Sequence, residues 1–167
     1  MAHSHEIAIK AKMTELANVT TQAEQRINTQ ILSMASRELL DYLGDDDYAQ
    51  YIADFDAYSE EDYAIFNAMP FDELTSAGKL LRNLIFGEAY FGLYYLALAL
   101  KKLVKGAVNV SRESAGSANI YASAFDEIIT NADNYKEQAL VCLAFATGSS
   151  DDDSELYSEG SMGVFVV

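Results

Sequence analysis

The sequence has no tryptophan, one proline and one cysteine, and both of its histidines, His3 and His5, fall within the first five residues. Each scarcity excludes something. A lone thiol, Cys142, rules out an intrachain disulfide and fits a reducing or indifferent compartment. With no histidine after position 5, no Ser-His-Asp or Cys-His pair is expected in the core. No Glu-x-x-His supplies the ligand set of bundle di-iron centres, and no glycine-rich phosphate loop precedes a helix. His3 and His5 alone are too few for a metal site and read as part of a mobile terminus. Bases are scarce as well. Eleven Lys and Arg against 26 Asp and Glu give a formal charge of −15 and a pI of about 4.3. Such a surface repels nucleic-acid phosphates and anionic membranes. The expectation is a protein that is not an enzyme and takes no cofactor and no metal.

What is present points to an all-α helical bundle. Half of the 167 residues are hydrophobic, enough for one domain with a real core, and strong β signals are scarce before the last residues. The dominant stretch runs from Leu84 to Val104; between Leu84 and Leu100 its only charge is Glu88. A helix apolar on nearly every side must be surrounded by protein or by lipid. Lipid fits less well. Seventeen residues are short for a span, Glu88 would be costly near a bilayer centre, and basic residues (Lys79, Arg82, Lys101, Lys102, Lys105) lie toward both ends. The expectation is therefore a central helix from about residues 71–76 to Lys105, stopped by Gly106, with no membrane. Gly87, Ala89, Gly92, Ala97 and Ala99 would admit neighbouring helices closely. Tyr90, Tyr94 and Tyr95 would bury rings while their hydroxyls reach a polar rim. Glu88 reads either as a buried acid inside the apolar helix or, more plainly, as a rim residue or one paired with a Lys or Arg, and a helix of this length leaves room for a kink at Gly78 or Gly87.

Three regions follow: an N-terminal segment, residues 1–20; a helical bundle, 21–148; and an acidic linker with a C-terminal interaction tail, 149–167. The first carries an imperfect stripe of Ile7, Ile9, Met13, Leu16 and Val19. Thr21 to Glu24 reads as a capping box opening a helix to Leu43, with Gly44 as its stop. Asp45-Asp46-Asp47 and Ser59-Glu-Glu-Asp62 each read as a helix start, the second helix ending before Pro70. Residues 106–118 read as a loop in which Val108 and Val110 alternate. Tyr121 to Ala146 reads as a phased helix closed by Gly148, with Cys142 packed on its apolar face.

Between Arg37 and Lys79 lie twelve acids and no base. The plainer reading is a solvated face with helix caps. The functional one is a surface meant to be negative toward a neighbour or a passing polyanion, with Asp45, Asp46, Asp47, Asp54, Asp56, Glu60, Glu61 and Asp62 as candidates. The end of the chain differs in kind. Asp151-Asp-Asp153-Ser-Glu155 has calcium-like carboxylates, but Leu156 stands where a calcium loop needs its glycine. Met162, Val164, Phe165, Val166 and Val167 form an apolar, β-prone end past that linker. It either frays or adds a strand to a partner.

A small acidic helical bundle with a long helix bearing Ala89-Tyr-Phe-Gly-Leu-Tyr-Tyr-Leu96, a second helix over Phe125 to Leu143 and the Gly160–Val167 tail resembles the head–tail connector (adaptor) proteins of tailed bacteriophages. The resemblance implies a structural virion protein, made in the host cytoplasm and placed at the head–tail junction. Its copies would form a twelve-fold ring beneath the portal protein, in contact with tail and neck proteins. DNA would pass without specific binding through a lumen lined by the acids named above. The competing readings are a stand-alone acidic helical module that binds a basic partner, and a membrane-associated protein using residues 84–104.

Overall fold

The computed structural model describes residues 4–110 and 124–148, with side chains as far as 106 in the first span. The described residues are all-α, with no strand among them. In chain order they form α1 (His5–Ala17), α2 (Thr21–Glu24), α3 (Thr29–Leu43), α4 (Asp45–Asp56), α5 (Glu60–Ala68), a 3-10 turn (Phe71–Glu73) and α6 (Ser76–Val110). Residues 124–130, here α7, and α8 (Ala132–Thr147) complete them.

Helix α6 is the axis. Its most extensive partner is α8, followed by α3 and then α1, while α4 rests mainly on α3. By length and composition α6 could cross a bilayer, but 72% of its most apolar window is buried inside the fold. Two glycines set the packing distances. A Cβ at Gly87 would come within 2.8 Å of Leu143 Cδ2 on α8, and one at Gly92 within 2.6 Å of Met13 Sδ on α1. Ala89 and Ala97 are buried as expected, whereas Ala99 is exposed. Around this axis the core gathers Ile9, Met13, Leu39, Tyr51, Phe55, Phe91, Phe125 and Leu143, all with almost no exposed surface.

Local signals explain most boundaries. Gly44 adopts φ +83° between α3 and α4, and Gly148 closes α8 in the left-handed conformation, both positions that favour glycine. Ser59 accepts from the Asp62 backbone N–H and starts α5, which ends before Pro70. Several expectations are corrected. The stretch from Thr21 to Leu43 is two helices: Thr20, not Thr21, caps α2 by accepting from the Ala23 N–H, and Asn28 caps α3 by accepting from Ile31. Helix α6 passes through Gly106 to Val110, so Val108 and Val110 are helical and no loop begins at 106; a lone glycine costs a helix only about 1 kcal/mol. The helix expected from Tyr121 breaks at Asn131 between α7 and α8. In α1 the buried face is Ala8, Ile9, Lys12 and Met13, while Ile7 is 67% exposed. Within residues 4–20, Ala8, Ile9, Met13, Ala17 and Val19 thus contribute to the core.

Candidate functional site

Two features stand out: a buried polar cluster around Glu88, and an acidic edge formed by α4 and α5. Glu88 lies in the middle of α6 and is 1% exposed. Its carboxylate takes donors from three other helices. Ser36 Oγ on α3 donates to Oε1 at 2.6 Å, Tyr51 OH on α4 donates to Oε2 at 2.6 Å, and His5 Nε2 on α1 lies 2.9 Å from Oε2. His5 Nε2 is also 2.9 Å from the Tyr51 hydroxyl, and its ring meets Tyr51 and Phe55 edge-on. Glu88 is therefore neither at the rim nor paired with a Lys or Arg. His5, which the sequence places in a mobile terminus, is ordered within α1; His3 lies outside the described residues.

The cluster shapes its own electrostatics. Burial, then the charge of Glu88, raises the Tyr51 hydroxyl well above its usual 10.0. The same two causes, in the same order, raise Tyr48. A shallow depression of about 400 Å³ opens beside the cluster, with His5, Ser36 and Tyr48 in its wall. Chemically the arrangement does not resemble a nucleophile relay. The carboxylate stands between Ser36 and His5, so the serine proton is held by Glu88 and not by the imidazole. What the cluster does is tie α1, α3 and α4 to α6 through one side chain.

The eight candidate acids all lie on α4, α5 or their first turns, and all are exposed. Asp45, Asp46 and Asp47 occupy the first turn of α4, Glu60, Glu61 and Asp62 that of α5, so each trio faces the positive end of its helix dipole. Asp54 and Asp56 sit at the far end of α4. Two aromatic contacts join this region: Phe55 of α4 lies against Tyr63 of α5 at 5.2 Å, and Tyr58, in the turn between the helices, against Phe66 at 5.0 Å between ring centroids. Buried Arg82 of α6 donates to the Phe66 carbonyl, which also accepts from the Met69 N–H, and, at 2.6 Å, to the carbonyl of Met69 just past the end of α5. The structure thus places the acids on two successive helices, the trios at their starts and Asp54 and Asp56 between them. The tail residues Met162, Val164, Phe165, Val166 and Val167, and the acids 151–155, lie outside the described residues.

Elsewhere, Tyr95 donates its hydroxyl to Glu38, as the polar-rim reading expects of it, while Lys136 sits over the face of the Tyr94 ring and Tyr90 is buried. Cys142 is half-buried, and burial pushes its thiol up to about 12, away from thiolate chemistry. Among the described residues no group of three or more His, Cys, Asp or Glu could hold a metal. The sequence reading missed Ser36, Tyr51 and His5 as partners of Glu88. The available signal was a polar group on each apolar stripe: Ser36 beside Ala35 and Leu39, Tyr51 beside Phe55, and His5 four residues before Ile9. No family model, curated protein or solved structure matches this chain.

Proposed function

We propose that this chain is a structural subunit, a head–tail connector that assembles into a ring beneath a portal protein and joins capsid to tail. The observation that supports the reading is the acidic edge. Eight exposed carboxylates sit on two successive helices joined by aromatic contacts, within a stretch of twelve acids and no base. Facing a lumen, that edge repels DNA phosphates, so the genome slides past and does not adhere. The tail, Met162 to Val167, would engage a neighbouring subunit or the neck. The test is electron microscopy of the purified chain mixed with portal-bearing particles. A ring seated on the portal is the expected result. A chain that stays monomeric and leaves the particles bare would contradict the reading.

A second reading, a stand-alone acidic module for a basic partner, draws on an acid-rimmed apolar groove beside α5. Light scattering on the isolated chain separates the two: a module stays monomeric or dimeric at concentrations where a connector forms larger assemblies.

A further inference from the structure

The two ends of α6 present surfaces that complement each other. At the N-terminal end, α5, the 3-10 turn and the first turn of α6 enclose a groove of about 650 Å³. Phe66, Met69 and Leu74 line it, Ile65 stands beside them 56% exposed, and Asp62 and Glu73 form its charged rim. The bases near this end are already engaged. Arg82 is buried against the Phe66 and Met69 carbonyls, and Lys79 sits over the Phe71 ring. Asp62 accepts from Ser59 Oγ at 2.7 Å and is exposed.

The C-terminal end of α6 has the opposite character. Between it and the start of α3 lies a groove of about 410 Å³ lined by Ile31, Met34, Leu98 and Leu103. Its charged rim is Arg26 and Lys102, with exposed Lys101 and Lys105 alongside, and among the described residues no acid lines it. Met34 and Leu103 are 40% and 36% exposed, large apolar groups set among cations. From Gly78 to Lys102 the helix rises about 36 Å at 1.5 Å per residue, so the two surfaces of one chain cannot meet. They can meet between copies, and only head to tail.

We infer that the acid-rimmed groove beside α5 receives the basic C-terminal end of α6 from a second copy. Leu103 and Met34 would meet Ile65 and Met69, while Lys101 and Lys102 face Glu73 and leave Asp62, at the other side of the groove, to the lumen. The apolar contact supplies the affinity and the charges fix partner and orientation, because exposed ion pairs add little binding by themselves. Such a contact is heterologous: it closes into a ring or runs on as a filament. The inference rests on the assembly reading and names the faces that reading leaves open.

The test is site-directed disulfide formation in the full chain, with the wild type, which carries Cys142, as background. An equal mixture of Ile65→Cys and Leu103→Cys chains should give a cross-linked dimer under mild oxidation. Neither variant alone should exceed the wild type, and the yield should fall several-fold at high salt. Adding Lys102→Glu to the Leu103→Cys chain should lower the yield several-fold, and Glu73→Lys on the Ile65→Cys chain should restore it. Dimers of either variant alone would mean an isologous contact and would overturn the inference. So would Ile65→Cys linking only to an added portal or neck protein. A mixture that does not cross-link while light scattering shows large assemblies overturns these faces and leaves the assembly reading standing. A monomer with no cross-link overturns both.

Discussion

The chain handles carboxylates in two opposite ways. Glu88 is sealed in the core and met by donors from three helices. The acids of α4 and α5 stand in solvent with no base among their sequence neighbours from Glu38 to Glu73. A buried charge without donors would cost several kcal/mol, so its surroundings are fixed by stability. An exposed acid makes no such demand. The trios at the two helix starts gain a little from the helix dipole, but nothing in the fold requires a stretch of twelve acids and no base, and the proposed function assigns that surplus to what the edge faces.

Breaking the buried half should have the largest effect. Glu88→Ala strands the Ser36 and Tyr51 hydroxyls and the His5 ring, and should lower unfolding free energy by about 3–5 kcal/mol in urea titrations. Tyr51→Phe removes one donor and leaves the carboxylate a partner short, a loss of about 1–3 kcal/mol by the same measurement.

Alkali offers a titration of the same core. Burial, the leading cause in each case, raises Tyr63, Tyr90 and Tyr135 from 10.0 to about 12, and Cys142 from 9.0 to about 12. Each folded value lies above the unfolded one, so the protonated form is the one the fold favours. That contribution is complete below the unfolded values and is lost as pH rises through the folded ones. Circular dichroism should show stability falling as pH climbs from about 9 toward about 12. The smallest effect belongs to the edge. Asp56→Ala should change stability by less than about 0.5 kcal/mol, and toward stabilisation, because Asp56 ends α4 where the helix dipole is negative.

Much of the fold was legible because its signals are local. Gly44, Pro70 and Gly148 mark boundaries through their own backbone chemistry, Ser59 through its side-chain hydroxyl, and the apolar run around Glu88 marks the axis. The break at residues 25–28 was hidden because Ala23, Ile27 and Ile31, before, within and after it, are all buried, so the apolar stripe runs on while the helix does not. The end of α6 was misread because a glycine after several lysines is a common stop, yet a helix can carry one. The Glu88 cluster was half legible. A charge in an apolar helix announces that partners exist, but Ser36, Tyr51 and His5 are 52, 37 and 83 residues away in sequence, and only packing brings them together.

The sharpest measurement is a reconstruction of the chain bound to portal-bearing particles, resolved well enough to place α4 and α5. A ring with the Asp45–Asp47 and Glu60–Asp62 turns facing an open channel is the predicted result. A ring whose channel is lined by other helices, with those turns on the outer wall, would contradict the role assigned to the acidic edge.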